Sequence, residues 1–257
     1  MKLIKTYLFS LLAVIIVCLL FVVAIKSGLF EKSEPEYFLN VNLRPENRAE
    51  LEKRREDDFK KLELFSENYD VYMNLGNIER ELGNASQAIE YFKKAAKIIP
   101  TNVTPWNNIG QIYVKLKIFD KAEQAYLKAK SINPGYYITY LYLAELYEDY
   151  LTDRIDEAKG VYLEGLAATN NSEKIQVPFA SYLTEIGNYS EALLYWEQLA
   201  KEHPENKSHR DMIEYVREKQ EINKSINQET LRRASSRFAN VSPVVRERQG
   251  QRCQRFY

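Results

Sequence analysis

The sequence predicts an all-α fold, a solenoid of about four stacked helical hairpins, and three observations carry that prediction. Tyr72, Gly76, Ala88, Phe92, Ala95 and Pro100 recur 34 positions later as Trp106, Gly110, Ala122, Tyr126, Ala129 and Pro134, the mark of a repeated supersecondary unit. Inside each copy the apolar residues fall three and four apart, which is helical spacing. Breaks rich in Gly, Asn and Pro, such as "LGNAS", "IIPTN" and "INPGY", separate the helical stretches.

The chain opens with Tyr7 to Ile25, "YLFSLLAVIIVCLLFVVAI", 19 residues without a charge. At about 1.5 Å per residue that length crosses a hydrocarbon core. A secretory signal has a shorter apolar stretch and a small-residue cleavage site, and the best site here, Val22-Val23-Ala24, is a poor one. The expectation for residues 1–28 is therefore an uncleaved single-pass anchor, with a cleaved signal as the alternative. Lys2 and Lys5 ahead of the span place the N-terminus inside and the body outside the cytoplasm. Residues 29–68 read as a charged linker helix, with Phe59, Leu62 and Phe65 of "RPENRAELEKRREDDFKKLELF" set to cover the first unit and the charges forming a solvated face.

Four units follow, at 69–102, 103–136, 137–172 and 173–206. Tyr140, Leu143, Ala144 and Tyr147 keep the 34-residue phase; Ala158 and Tyr162 then fall 36 beyond Ala122 and Tyr126, so two residues are inserted near "DYLTDR". Ala192 and Trp196 restore the phase. A glycine inside a helix costs about 1 kcal/mol relative to alanine, so Gly76 and Gly110 require a reason. Close approach of the second helix supplies it, with Phe92, Tyr126, Tyr162 and Trp196 filling the gaps between units.

Trp106, Ile109, Gly110, Tyr113, Ala122, Tyr126, Ala129 and Pro134 together resemble the tetratricopeptide repeat family, over about half of the chain. Departures are Glu79 at an aromatic position, Gly165 at an alanine position and Ala180 at the glycine position of the fourth unit. The resemblance implies a right-handed superhelical solenoid whose first helices line a concave wall that holds an extended peptide or a partner helix.

Stacked units expose their ends and need caps. Residues 207–229, with Met212, Ile213, Val216, Ile222 and Ile226, suit a C-terminal capping helix. Residues 230–257 carry seven arginines against one acid, Glu247, lack a sustained helical period and read as a basic disordered tail. The chain as a whole is neutral, with 36 basic and 36 acidic residues.

Nothing in the sequence calls for catalysis. The only cysteines, Cys18 and Cys253, lie at opposite ends, the two histidines are not in a metal-ligand spacing, and no phosphate-cradling glycine loop occurs. The expectation is a binding protein, not an enzyme, with no cofactor, no metal and no small-molecule substrate; without an aromatic platform or an RNA-binding fold beside the arginines, no nucleic acid is expected either. On the concave wall that the resemblance implies, the candidate groove residues are Met73, Asn77, Arg80, Asn107, Asn108, Gln111, Leu141, Glu145, Glu148, Val177 and Ser181. Met73, Ile138 and Tyr142 stand where family members that clamp chaperone C-termini carry cations, so that ligand is disfavoured. Glu145, Glu148, Asp149 and Glu185 make the third and fourth units acidic, and a partner segment with apolar and basic side chains fits best. The functional expectation is a membrane-anchored scaffold that gathers protein partners, in cell-envelope assembly. The alternative is a secreted or periplasmic factor that presents a substrate to another enzyme.

Overall fold

The computed structural model describes residues 35–239, and these are helical apart from an extended lead-in and short turns. The span expected at residues 7–25 lies outside them; no helix among the described residues is long and apolar enough to cross a membrane. In order, the elements are α1 (Pro45–Leu64), α2 (Tyr69–Leu82), α3 (Ala85–Ile98), α4 (Thr104–Lys115), α5 (Phe119–Ile132) and α6 (Tyr137–Glu145). A π-helical turn (Leu146–Tyr150) and a 3-10 turn (Thr152–Arg154) follow, then α7 (Ile155–Ala168), α8 (Glu173–Glu185), α9 (Tyr189–Glu202) and α10 (Lys207–Ala239).

The four hairpins are α2/α3, α4/α5, α6/α7 and α8/α9. Three of them turn in the same way. Gly83, Lys117 and Gly187 occupy one repeat position and all have positive φ, 94°, 60° and 78°. At each, the residue after it donates to the carbonyl five residues back, as Asn84 does to Glu79 at 2.8 Å, Ile118 to Tyr113 at 2.9 Å and Asn188 to Leu183 at 2.8 Å. This double-bonded C-cap satisfies the last helical carbonyls. At the same position in the third hairpin stands Leu151, with φ −113°. There the two inserted residues are absorbed by the π-helical and 3-10 turns instead.

Packing inside the hairpins explains the glycines. A Cβ on Gly76 would lie 2.6 Å from Cε1 of Phe92, and one on Gly110 would lie 2.6 Å from Cδ1 of Tyr126. In both units the aromatic ring of the second helix lies directly on the first helix's backbone. The same rings reach the next unit: Tyr126 stacks on Tyr142 with centroids 5.6 Å apart, and Tyr162 stacks on Phe179 at 5.1 Å. Gly165 works both within the third hairpin and toward the fourth, its missing Cβ leaving room for Tyr140 and Ile175. One continuous hydrophobic core runs from Ala85 to Val216, and the ion pairs Lys130–Glu164 (2.7 Å) and Lys159–Glu191 (2.6 Å) join successive second helices outside it.

Both ends differ from the sequence expectation. The linker is helical only from Pro45, because the residue before a proline is driven to extended backbone and Arg44 has φ −64° and ψ 146°. Ahead of it Tyr37, Leu39, Val41 and Leu43 are half-buried while Phe38, Asn40 and Asn42 are exposed, a two-residue alternation. This strand-like segment is tied to the first hairpin turn by Leu39 N–H donating to Gly83 O (2.8 Å) and Tyr37 N–H donating to Ser86 Oγ (2.7 Å). Phe59 and Phe65 stay exposed; the residue of α1 that covers the first unit is Leu51, packed with Ile78 and Leu82. The buried Glu79 of α2 accepts from Asn84 at 2.6 Å and from Arg55 of α1 at 3.5 Å, so its departure from an aromatic gives the N-terminal helix a polar anchor.

At the C-terminus, His209, Met212, Ile213 and Val216 of α10 close the core, His209 lying against Trp196 with ring centroids 6.0 Å apart. Ile222 and Ile226 are exposed and do not cap. The helix also continues to Ala239, well into the stretch expected to be disordered. No Gly or Pro interrupts it, and Glu229 bonds Arg233 at 2.8 Å one turn on, a pairing that supports helix.

Candidate functional site

The first helices of the hairpins put one stripe into the core and leave the opposite stripe half-buried or exposed. Met73, Asn77 and Arg80 of α2, Asn108 and Gln111 of α4, Leu141 of α6, Glu148 of the π-helical turn, and Val177 and Ser181 of α8 are all half-buried, and Glu145 at the end of α6 is exposed. Asn107 does not belong with them. It is 3% exposed, and its amide donates to Thr139 Oγ1 at 3.0 Å while accepting the hydroxyl's hydrogen at 3.2 Å. Its role is to tie the second unit to the third.

A cleft opens where the second and third units meet. Gln111, Val114, Lys115, Tyr126, Tyr142, Glu145, Leu146 and Tyr150 line it, and its volume is about 250 Å³. The inserted residues make it. In the π-helical turn the backbone widens, and the Tyr150 ring comes to stack on Phe119 at 5.2 Å. The turn is held from outside by Arg154, which donates to Glu123 at 2.8 and 2.9 Å and to Glu157 at 2.7 Å, with its guanidinium over the Tyr147 ring. Tyr147 adds its own hydroxyl to Glu123 at 2.5 Å. Hydrogen bonds from Arg154 hold Glu123 below the usual carboxylate range.

A second hollow adjoins the cleft, sharing Gln111 and Lys115 with it. It is bounded by the extended residues Leu39 to Leu43 together with Arg80 and Glu81. The groove is thus basic toward the first unit, aromatic at its middle and acidic beyond.

The acids of the third unit are electrostatically frustrated. Desolvation by neighbouring side chains raises Glu145 although its surface is largely exposed, with repulsion from Asp149 second. Burial likewise raises Glu148, offset in part by a hydrogen bond with Tyr162 and reinforced by Asp149, Glu185 and Glu145; its Oε1 is buried without a partner. Groups whose folded pKa is raised cost stability above that pKa, and the cost vanishes below the unfolded value of about 4.3. Glu148→Gln is therefore expected to stabilise the fold at pH 7 by about 0.5 kcal/mol, the scale of a partly screened repulsion. Thermal unfolding at pH 7 and at about pH 4 checks this: the advantage should be present in the first and absent in the second.

Sequence reasoning named Gln111, Tyr142 and Glu145 of this cleft but missed the other two tyrosines of its floor. Tyr126 was assigned to the core, and Tyr150 reaches the cleft only through the π-helical turn. No group of three His, Cys, Asp or Glu side chains among the described residues is placed to hold a metal ion.

Comparison with known proteins finds the repeat in the sequence. A tetratricopeptide repeat model matches residues 103–136, and a second model, described as a TPR repeat, matches residues 76–117. Over 67 residues, 26% of this chain, the sequence is 33% identical to protein O-mannosyl-transferase Tmtc3 of Drosophila melanogaster, and the match spans only 7% of that protein's length. Among solved structures, a tetratricopeptide repeat protein from Parabacteroides merdae is similar with a TM-score of 0.49 and 20% identity, covering 77% of this chain and 76% of that one. A thermophilic TPR protein of Thermus thermophilus is similar with a TM-score of 0.46 and 17% identity, covering 65% of this chain and 91% of that one.

Proposed function

We propose that this chain, matched by tetratricopeptide-repeat models over residues 76–136, is a scaffold of that family whose inner wall grips an extended polypeptide, tethered to a membrane by residues 7–25. The observation that carries the binding reading is the groove itself. A cleft floored by Tyr126, Tyr142 and Tyr150 and flanked by the side-chain amide of Gln111 combines apolar area with a few orienting polar groups, as binding sites do. The acids past the cleft favour basic side chains in the bound segment. The uncharged stretch Tyr7–Ile25 with its preceding lysines supports the anchor, with the body outside the cytoplasm and a role in envelope assembly. The extended segment Tyr37–Leu43, bonded to the first hairpin turn, would then join the anchor firmly to the solenoid.

Replacing Asn77, Asn108 and Gln111 together with alanine tests the groove. These side chains are half-buried on the wall, and far-UV circular dichroism should keep its helical signal. Affinity for a captured partner should fall about tenfold or more, since each lost neutral hydrogen bond is worth about 1 kcal/mol. Unchanged affinity would place the partner elsewhere.

A further inference from the structure

We propose that the tyrosine-floored cleft receives the arginine-rich segment Arg246–Tyr257 of this same chain, from its own copy or a neighbouring one. The proposal rests on the groove reading above and names one occupant for it.

Four acids elsewhere in the solenoid have cations. Glu79 has Arg55, Glu123 has Arg154, Glu164 has Lys130 and Glu191 has Lys159. Glu145, Glu148, Asp149 and Glu185 form no ion pair among the described residues, and no cation figures among the charges that act on Glu145 or Glu148. They lie beside or just beyond a cleft whose apolar floor is Val114, Tyr126, Tyr142, Leu146 and Tyr150. An arginine suits both features at once, because its planar guanidinium stacks on aromatic faces and forks onto carboxylates.

The chain supplies such side chains densely in "RERQGQRCQRFY". Arg246, Arg248, Arg252 and Arg255 stand against the single acid Glu247, and Phe256 and Tyr257 add aromatic surface. Arg80 and Lys115 repel these arginines at the first-unit end, Lys115 from the lining of the cleft itself, which directs them toward Glu145 and the acids beyond it. From Glu221 through Ser236 every side chain of α10 is exposed, and the 18 residues after Ala239 extend to roughly 60 Å. The segment would compete with any other polypeptide for the groove.

The test uses the full chain purified in detergent, with Cys18→Ser so that Cys253 is the remaining native thiol. A cysteine is introduced either in the cleft, Val114→Cys, or on the exposed face of α5, Lys128→Cys. Under oxidised glutathione the proposal predicts disulfide formation with Cys253 at least tenfold faster for Val114→Cys. Replacing Arg246, Arg248, Arg252 and Arg255 by glutamine should abolish the difference. Linked species of one chain or of two both support the proposal, and their mass tells whose groove is filled. Equal rates for the two variants would overturn it. A synthetic peptide of residues 244–257 and an unrelated basic, tyrosine-containing peptide are titrated in parallel against the chain with and without Gln111→Ala. If rates are equal but the unrelated peptide binds in a Gln111-dependent way, the self-contact fails and the groove reading stands. If neither peptide binds, both fail.

Discussion

Truncating Phe92 to alanine is expected to cost about 3–5 kcal/mol, the range for removing a buried aromatic ring. Phe92 is fully buried, and its ring rests on the backbone of Gly76. Removal therefore opens a cavity between α2 and α3 that neither backbone can close, since both are fixed by the Gly83 turn and by α4. The loss should be local first. In a stacked array stability is close to a sum of unit and neighbour terms, so hydrogen exchange in the first hairpin should speed up before exchange in α8 and α9. Urea unfolding followed by circular dichroism measures the total, and exchange mass spectrometry measures where it falls.

Gly110→Leu is expected to be damaging for the opposite reason. The space where its side chain would stand is already taken by Tyr126, whose ring is 2% exposed and pinned from the other side by Tyr142. Overpacking of this kind costs about 1–3 kcal/mol and sometimes more. Because Tyr126 and Tyr142 also floor the cleft, the same substitution should weaken polypeptide binding beyond its effect on folding. Titration at a temperature where the variant is still folded separates the two losses.

The hairpins were readable from the sequence because their distinctive residues have one local cause each. A glycine inside a helix has no intrinsic merit, so its recurrence in phase with an aromatic announces the contact before any coordinate is known. The departures from the sequence reading are tertiary. Asn107 has the right spacing for the wall, yet Thr139, 32 residues on, draws it inward. The two inserted residues were counted correctly, but their consequence, a π-helical turn that swings Tyr150 toward Phe119, depends on the Arg154 clamp across three carboxylate and hydroxyl groups. The alternation Tyr37, Leu39, Val41, Leu43 was a legible extended signal, masked by the charged helix after it. At the other end, arginines dominated the reading of residues 230–239, although arginine is a good helix former and no breaker is present.

Everything rests on small residues placed so that an aromatic ring can sit on a helix backbone and bring the hairpins together around an open inner wall. The most direct measurement is the change in unfolding free energy for Gly110→Ala beside Gly160→Ala. Both glycines lie inside helices, where alanine is intrinsically favoured by about 1 kcal/mol, but a Cβ on Gly110 meets the Tyr126 ring while one on Gly160 meets nothing within 4 Å. Opposite signs are predicted: Gly160→Ala stabilises by about 0.5–1 kcal/mol, and Gly110→Ala destabilises despite the same propensity gain. If both alanines stabilise, the nested packing described for the hairpins is wrong.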